Sequence, residues 1–365
     1  MERVYNFSAG PSMLPLPVLQ RAQAELLDYR GSGQSVMEMS HRSKWFDEII
    51  QNTEASIRRV LNVPDNYKVG FFQGGATQQF AMVPLNFMVT GKADYLVTGN
   101  FSKKAAEEAA KFGEARVVAS SKDKNFTYIP DVKAIEYDAD ASYVHICQNN
   151  TIFGTRFVEV PEVPGLPLVA DMSSMIFSEP VDVRKYGCIY FGVQKNVAPA
   201  GMAIAIVRED LLGKSAKGVA PEQIPTMMNY TTLLKNDSMY NTPPCWCIYM
   251  TGLVMEYLER DIGGLAEMKK INEAKAKVLY DYLDSQGFYN NPVERRYRSL
   301  MNVTFTSPSP ELDKKFCAAA ADAGFVNLKG HRLVGGMRAS IYNAMPPEGV
   351  DKLVAFMEQF RKENG

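Results

Sequence analysis

The chain has 365 residues, of which 46% are hydrophobic and 22% are charged, with 40 basic side chains against 41 acidic ones. This length is sufficient for a large hydrophobic core and two domains. The net charge of −1 excludes a global field that would attract nucleic acid or an anionic membrane, so any anion must be bound by a local site.

The sequence gives no sign of export or membrane insertion. Its start lacks the pattern of a secretory signal, and no window approaches about eighteen consecutive apolar residues. The cysteines are odd in number and lack C-x-x-C spacing, which is typical of free thiols in a reducing compartment; they are Cys147, Cys188, Cys245, Cys247 and Cys317. Cys245 and Cys247 have the spacing of half a metal site, but no cluster completes it. We expect a cytoplasmic protein without a metal, a membrane partner or a nucleic-acid partner.

Segments typical of helices and strands alternate from about residue 16 to residue 210. A helix opened by Pro17 keeps helical spacing of apolar residues to Tyr29, before the glycines at 31 and 33. Ser102 is the candidate N-cap of a later helix. The alternation predicts an α/β domain on a mostly parallel sheet. The later predicted segments are strand 68–72, helix 76–88, strand 94–98, helix 102–111, and strands 115–119, 143–147, 167–170, 188–191 and 202–207.

A smaller α+β pattern follows a helix predicted over 247–259 and the glycines at 263 and 264. Its predicted segments are helix 265–286, strand 300–305, helix 310–323, strands around 325–341 and helix 349–361. Residues 1–15 show little helical pattern and are expected to pack against this unit. We therefore expect a large domain over 16–262 and a small domain made of 1–15 and 263–365.

Lys195 and Asp171 each follow a predicted strand. A lysine whose stem lies in apolar surroundings has a lowered pKa and can attack a carbonyl. A lysine and an acid at neighbouring strand ends are what pyridoxal phosphate requires, the lysine for a Schiff base and the acid for the ring nitrogen. The local sequence alone favours a surface lysine in a loop over a catalytic one. Because Gly74 and Gly75 also follow a strand, three candidate elements share one sheet edge, where ligands of such sheets bind.

The segment 73–78 (Gln-Gly-Gly-Ala-Thr-Gln) joins a strand to a helix. Its glycines allow the amides of Ala76 and Thr77 to approach a phosphate at the positive end of the helix, although a simple tight turn explains them as well. The segment matches neither the dinucleotide fingerprint nor the P-loop.

Several basic residues are candidates for binding an anionic substrate. His41-Arg42 and His331-Arg332 are two His-Arg pairs in a chain with three histidines, and Arg338 lies within an apolar strand. A buried arginine requires a partner, which is either a substrate carboxylate or an internal acid.

Two further residues at strand ends suit a planar cofactor, although each can also be a loop or core residue. Thr151 offers a hydroxyl for a phenolic oxygen, and Phe101 offers a ring for stacking.

These motifs occur in the order found in the phosphoserine aminotransferase family, which the chain closely resembles from residue 6 to about 350. That family lies in the class V group of fold-type I pyridoxal phosphate enzymes. The motifs are Asn-Phe-Ser-Ala-Gly-Pro (6–11), Met-Ser-His-Arg (39–42), the glycine turn (74–75), Asp-Met-Ser-Ser (171–174), Gln-Lys-Asn (194–196), Tyr-Asn-Thr-Pro (240–243) and Gly-Met-Arg-Ala-Ser-Ile-Tyr-Asn-Ala (336–344).

The resemblance implies a role for each candidate. Lys195 is implied as the Schiff-base lysine and Asp171 as the partner of the pyridine nitrogen. The implied cofactor-binding residues also include Phe101 at the ring and Thr151 at the phenolic oxygen, with Ala76, Thr77 and Gln194 around the phosphate. Asn241 and Thr242 are implied to reach the phosphate of a neighbouring subunit, which requires a homodimer with shared sites. Arg338 is implied to clamp the α-carboxylate, and His41, Arg42, His331 and Arg332 to bind the distal phosphate or carboxylate, the first pair from the other subunit.

Three positions depart from the pattern of the family. Phe101 stands where tryptophan is usual, Asn150 stands where many members have glutamate, and Thr77 stands where many bacterial members have arginine. None of these changes removes a group essential to the chemistry.

The resemblance implies reversible transamination between O-phospho-L-serine with 2-oxoglutarate and 3-phosphohydroxypyruvate with L-glutamate, in serine biosynthesis. 4-Phosphohydroxy-L-threonine, in pyridoxine biosynthesis, is a possible second substrate. The alternatives are another class V aminotransferase acting on alanine, serine or a different oxo acid, and an α/β scaffold that has lost catalysis. A nicotinamide dehydrogenase is disfavoured because the glycine fingerprint is missing.

Overall fold

The computed structural model describes residues 3–365. Its helices are α1 (Leu16–Ala24), α2 (Lys44–Leu61), α3 (Ala76–Phe87), α4 (Asn100–Ala109), α5 (Tyr230–Lys235), α6 (Cys245–Tyr257), α7 (Leu265–Ser285), α8 (Pro310–Asp322) and α9 (Pro347–Asn364). Its strands are β1 (Tyr5–Asn6), β2 (Tyr67–Gln73), β3 (Lys92–Val97), β4 (Glu114–Ser120), β5 (Val144–Cys147), β6 (Asn149–Asn150), β7 (Thr155–Arg156), β8 (Leu168–Asp171), β9 (Cys188–Gly192), β10 (Met202–Arg208), β11 (Asn302–Phe305), β12 (Phe325–Val326) and β13 (Met337–Ser340).

A seven-stranded sheet in the order β2-β10-β9-β8-β5-β3-β4 forms the centre of the molecule. The pairs from β9 to β4 are parallel, whereas β10 runs antiparallel to both of its neighbours. Since β2 and β9 both oppose β10, β2 runs in the same direction as the five parallel strands. The carboxyl ends of six strands therefore lie at one edge of the sheet, which confirms the predicted mostly parallel α/β fold.

Both faces of the sheet are buried, as parallel sheets require. Along β10, Ile204 and Ile206 face one hydrophobic core, whereas Ala203, Ala205 and Val207 face a second core on the opposite side. This alternation follows from the two-residue period of a strand. Helices on both sides of the sheet leave its carboxyl edge as the place for a site.

A third core belongs to the C-terminal part of the chain and includes Phe7, Leu279, Phe316 and Phe360. β1 pairs in parallel with β12, so the first residues pack against the C-terminal unit, as predicted. We propose that the domains divide the chain as expected, into 16–262 and a small domain of 1–15 with 263–365.

α1 ends earlier than the sequence pattern predicts. The helix stops at Ala24, and the backbone N–H of Tyr29 instead donates to the carbonyl of Gln34 at 2.9 Å in a turn. The ring of Tyr29 is buried by edge contacts with Trp45 and Tyr249. The apolar spacing at Tyr29 thus reflects tertiary burial rather than a continuing helix.

The assignment of Ser102 as an N-cap was wrong. α4 begins at Asn100, which makes Ser102 an interior residue of the first turn. Its buried hydroxyl accepts hydrogen bonds from the N–H groups of Thr98 and Gly99, at 3.0 and 3.1 Å, because it folds back on the start of its own helix.

α2 was not predicted, although the sequence carries its signals. Ser43 accepts from the N–H of Phe46 as an N-cap, and Phe46, Ile49, Ile50 and Ile57 recur on one buried face.

Candidate active site

Asp171 and the turn that bears Lys195 lie side by side at the carboxyl edge of the sheet. Asp171 is the last residue of β8 and pairs with Tyr190 of β9, and Lys195 follows three residues after the end of β9. The Oδ1 atom of Asp171 accepts from the N–H and the hydroxyl of Ser173, at 2.9 and 2.6 Å. The Ser173 hydroxyl in turn accepts from the N–H of Gly192 at 3.0 Å. These bonds fix the carboxylate relative to both strand ends.

Lys195 is buried, with 9% of the residue exposed. Its Nζ donates to Oγ1 of Thr151 at 2.8 Å and lies 5.4 Å from the ring centroid of Phe101. Burial lowers the pKa of Lys195, although the charge of Asp171 opposes this shift. The amine is therefore more available as a neutral base or nucleophile than an exposed lysine.

The carboxylate of Asp171 is also buried. Burial raises the pKa of Asp171, and the opposing influences are the charge of Lys195 and the two hydrogen bonds from Ser173. Its Oδ2 atom accepts no hydrogen bond from residues 3–365, and Asp171 lines the cavity described below. A donor such as the N–H of a protonated pyridine ring fits this vacant acceptor.

Arg338 has no carboxylate partner within the part of the chain that the structure describes. Its Nη1 donates to the carbonyl of Thr151 at 3.3 Å, and its buried Nε has no partner among those residues. Burial lowers the pKa of Arg338. The internal acid considered from the sequence is therefore not found, and the guanidinium is available to an anionic ligand.

One cavity of about 340 Å³ brings most of the predicted site residues together. It is within the size range of small-molecule pockets. The predicted residues that line it are Ala76, Thr77, Phe101, Thr151, Asp171, Gln194, Lys195, His331 and Arg338.

The glycine turn and the start of α3 form one wall of the cavity. Gly74 has φ +93°, a conformation that other residues rarely adopt, and α3 then begins at Ala76. The first turn of α3 carries no acidic side chain, so its free N–H groups are available for a phosphate.

His331 lies at another wall of the cavity and comes from the C-terminal unit. Its Nδ1 accepts from the backbone N–H of Leu333 at 3.2 Å, which leaves Nε2 as the N–H donor of a neutral ring. Burial lowers the pKa of His331, and the charges of Arg338, Arg332 and Lys104 add to this effect.

Five predicted site residues lie outside this cavity. Arg332 lines a neighbouring cavity of about 590 Å³ within the C-terminal unit. The carbonyl of Thr242 accepts from Nε2 of Gln73 at 2.6 Å, next to the glycine turn. His41 has a buried Nε2 without a partner among the described residues. Arg42 is exposed and Asn241 is half-buried.

The sequence reasoning assigned no role to several residues that line the cavity, among them Ala9, Gly10, Lys104 and Asn149. Ala9 and Gly10 belong to the motif at residues 6–11, so the sequence could have pointed to them. Gly10 has φ +141°, a backbone conformation that residues with a side chain rarely adopt, and it lies against the stem of Lys195.

Asn149 is a buried residue of the cavity wall, and side-chain hydrogen bonds hold it in place. It donates to the Ser174 hydroxyl at 2.7 Å and to Oδ1 of Asn302 at 2.9 Å, and it accepts from the Ser299 hydroxyl at 2.6 Å. The network links the segments that follow β5 and β8 to the C-terminal unit and has no local sequence signature.

The donors and acceptors of the cavity fit pyridoxal phosphate. Asp171 offers an unpartnered carboxylate oxygen, Lys195 a buried amine and Thr151 a hydroxyl, while the start of α3 offers N–H groups to a phosphate. Phe101 supplies the aromatic face against the same space.

Within residues 3–365 we find no group of three or more His, Cys, Asp and Glu side chains arranged to hold a metal ion. None of the helices in this part of the chain has the length and apolar character needed to cross a membrane.

Comparison with known proteins gives consistent matches over the full length. A model of the class V aminotransferase family matches residues 4–353. Phosphoserine aminotransferase of Bacillus cereus (strain ATCC 10987) is 53% identical over 365 residues, covering 100% of both chains. That of Listeria monocytogenes serovar 1/2a is 52% identical over 362 residues, covering 99% of this chain and 97% of the relative.

Solved structures agree with these sequence matches. Phosphoserine aminotransferase from Bacillus circulans subsp. alkalophilus has a TM-score of 0.96 at 46% identity, covering 100% of both chains. The pyridoxal phosphate-bound phosphoserine aminotransferase from Trichomonas vaginalis has a TM-score of 0.92 at 39% identity, covering 98% of this chain and 100% of the other.

Proposed function

Because this chain belongs to the class V aminotransferases, and within them to the phosphoserine aminotransferases, we propose that Lys195, Asp171 and Arg338 carry its reaction. The reaction is the reversible transfer of an amino group between O-phospho-L-serine with 2-oxoglutarate and 3-phosphohydroxypyruvate with L-glutamate, a step of serine biosynthesis. It depends on pyridoxal 5'-phosphate.

When bound, the cofactor supplies a carbonyl carbon that takes up the amino group and a ring that draws electrons from the substrate Cα. Lys195 would hold the cofactor in the resting enzyme through its Nζ. Once freed by the substrate amine, that Nζ would take the proton from the substrate Cα and donate it to the carbon that has taken up the amino group. The lowered pKa of Lys195 suits this work, since a neutral amine is required to accept the proton.

Asp171 would keep the ring nitrogen protonated through its free Oδ2, while Ser173 holds its Oδ1. A buried carboxylate in this position would stabilise the positive charge that the electron-withdrawing ring needs. Phe101 would pack against the ring, and the Thr151 hydroxyl, which accepts from Nζ of Lys195, would donate to the phenolic oxygen. Ala76, Thr77 and Gln194 would surround the phosphate.

Arg338 binds the α-carboxylate of the amino acid, because its guanidinium has a free Nε beside Lys195 and no internal acid among the described residues. A bidentate pair fixes Cα near Nζ of Lys195, which favours proton transfer.

We further propose a homodimer with shared sites. His41, Arg42, Asn241 and Thr242 lie outside the cavity of their own chain, which agrees with their acting at the site of a second copy. His41 and Arg42 then join His331 and Arg332 in binding the distal phosphate or carboxylate. We place the enzyme in the cytoplasm, because its five cysteines are free thiols.

The observation that carries the proposed chemistry is the buried Lys195 amine beside an unpartnered Asp171 oxygen in one cavity. The test is a coupled assay of the purified holoenzyme with phosphoserine, alanine, serine and 4-phosphohydroxythreonine as amino donors to 2-oxoglutarate. We expect kcat/KM for phosphoserine to exceed that for alanine and serine by at least about 100-fold, because a site built for an anion rejects substrates that leave its donors unpaired. A preference for alanine would instead indicate a class V aminotransferase that acts on alanine.

The same assay decides whether 4-phosphohydroxythreonine is a second substrate. Borohydride reduction of the holoenzyme separates an enzyme from an inactive scaffold. In an enzyme, reduction removes the visible absorption band of the cofactor and leaves the reduced cofactor covalently attached to Lys195. An inactive scaffold shows neither result.

A further inference from the structure

Lys104 is a cation of the cavity to which neither the sequence motifs nor the proposed mechanism gives a role. It lies on α4, three residues after Phe101, so both side chains project from the same side of the helix. Both line the cavity that holds Lys195 and Arg338.

Lys104 makes no ion pair within residues 3–365, in contrast to its neighbour. Lys103 pairs with Glu107 at 3.3 Å and lines a different, apolar groove on the outer side of α4. An exposed lysine that carries no acid partner is free to bind an anionic ligand at the rim of the cavity.

Lys104 and His331 line the same cavity. The charge of Lys104 adds to burial and to the charges of Arg338 and Arg332 in lowering the pKa of His331, so Lys104 lies near a residue proposed to bind the distal group.

The other cationic side chains that line the cavity already have a proposed role. Lys195 serves the cofactor and Arg338 serves the α-carboxylate, while His331, whose Nδ1 accepts from the N–H of Leu333, offers its Nε2 as a single N–H donor. Thr77, which also lines the cavity, is uncharged. Among the residues that line the cavity, Lys104 is the remaining cation for the distal end of a substrate.

We propose that Lys104 binds the phosphate of phosphoserine and of 3-phosphohydroxypyruvate, and so makes the enzyme prefer a dianionic distal group over a single carboxylate. This inference rests on the proposed function. A dianion gains more from one additional cation than a monoanion does, because the interaction scales with the product of the charges.

The test uses the holoenzyme and four proteins: wild type, Lys104→Gln, Lys104→Arg and Lys103→Gln. Each is mixed with phosphoserine and, separately, with L-glutamate, and the change in cofactor absorbance gives an apparent Kd for each half-reaction. We expect Lys104→Gln to weaken phosphoserine binding by at least about tenfold and glutamate binding by less than about threefold. Lys104→Arg should retain most of the affinity, and the matched control Lys103→Gln should equal wild type.

Three results would overturn the inference. One is unchanged phosphoserine affinity in Lys104→Gln, and another is an equal loss for both substrates. The third is faster loss of cofactor on dialysis of Lys104→Gln than of Lys103→Gln, which would assign the lysine to the cofactor phosphate instead.

The wild-type measurement distinguishes this inference from the proposed function. If wild type does not react with phosphoserine, both fail. If wild type reacts with phosphoserine and Lys104→Gln matches it, the role of Lys104 alone is wrong.

Discussion

The backbone N–H of Asn343 donates to Oδ1 of Asn196 at 3.0 Å, which ties the segment after β13 to the residue next to Lys195. The amide of Asn196 donates onward to the carbonyl of Ile176 at 3.0 Å, and that of Asn343 to the carbonyl of Phe177 at 2.9 Å. The turn bearing Lys195 and the strand bearing Arg338 are thus joined by a buried amide contact.

Asn196→Ala tests this contact. The change leaves the N–H of Asn343 and the carbonyl of Ile176 unpaired in buried surroundings, at about 1–3 kcal/mol each. We expect the free energy of unfolding in urea to fall by about 2–5 kcal/mol, and kcat to fall because the turn that holds Lys195 loosens. Asn236→Ala, which removes an exposed amide bonded to Thr232, is the control and should change stability by less than about 0.5 kcal/mol. Equal unfolding midpoints for both variants would contradict the role of the contact.

Lys195→Ala should fold and lose turnover by at least about 1000-fold, because the amine that moves the proton is gone. The melting temperature should remain near that of wild type, since the substitution removes a buried charge with one hydrogen bond. The coupled phosphoserine assay and a thermal melt measure the two effects. Lys185→Ala, at an exposed lysine, is the matched control. Near-wild-type turnover in Lys195→Ala would refute the assignment.

Asp171→Asn keeps an acceptor for Ser173 but removes the carboxylate charge. We expect kcat to fall at least about 100-fold, as for loss of a buried electrostatic partner. Since burial raises the pKa of Asp171, the wild-type carboxylate takes up its proton at higher pH than an ordinary aspartate. The rate should therefore decline on the acid side of the pH profile in wild type, and that limb should be missing in the variant. An unchanged acid limb would assign it to another group.

Lys275 should make stability depend on pH. As an ammonium, its Nζ donates to the carbonyls of Ile341, Tyr342 and Met345, at 3.1, 2.8 and 3.0 Å, in a site that is 1% exposed. Burial lowers the pKa of Lys275 to about 7, so above this pH the folded side chain gives up one of its three N–H donors. An unfolded lysine titrates at ~10.4. Between these values the unfolded chain holds a proton that the folded chain lacks, so stability rises as the pH increases above 7.

The measurement compares wild type with Lys275→Met in urea at pH 7, 8 and 9. The stability of wild type relative to the variant should increase with each step, because methionine cannot titrate. Lys277→Met, at an exposed lysine, should show no such trend against wild type. If the difference in the free energy of unfolding between wild type and Lys275→Met does not change with pH, Lys275 has the same pKa in the folded and the unfolded chain.

Shared sites can be tested by mixing subunits. Lys195→Ala and Arg42→Ala variants are each expected to be weakly active with phosphoserine. If Arg42 acts in the site of its partner, a mixed dimer contains one intact site, and random exchange should restore about a quarter of wild-type activity. Reversible unfolding of the two together gives the exchange, and each variant refolded alone is the control. No gain on mixing would place Arg42 in the site of its own subunit.

The sequence identified the residues whose position follows from strand ends. Asp171, Lys195 and the glycine turn meet because parallel strands end at a common edge, and that is visible in the order of segments. Lys104 and Asn149 were not foreseen, because their positions depend on which helix face or strand meets the C-terminal unit. The sequence could not decide whether Arg338 pairs with an internal acid or with a substrate carboxylate. Whether an acid lies near Arg338 depends on how the strands and helices pack. Ser102 and Tyr29 were misassigned because capping and burial there come from contacts that local spacing does not reveal.

The pairing of β1 with β12 also bears on how the protein is made. Asn327 donates to the side-chain oxygen of Asn6, 321 positions earlier, and the N–H of Ser12 donates to the carbonyl of Gln194 at 3.0 Å. The N-terminal segment that brings Ala9 and Gly10 to the cavity is therefore anchored both to Gln194, in the middle of the chain, and to Asn327, which leaves the ribosome near the end of synthesis. Contacts this far apart in sequence form slowly. A nascent chain that has completed the central sheet would still lack a finished pocket, so the ability to bind the cofactor should arise only at the last stage of folding.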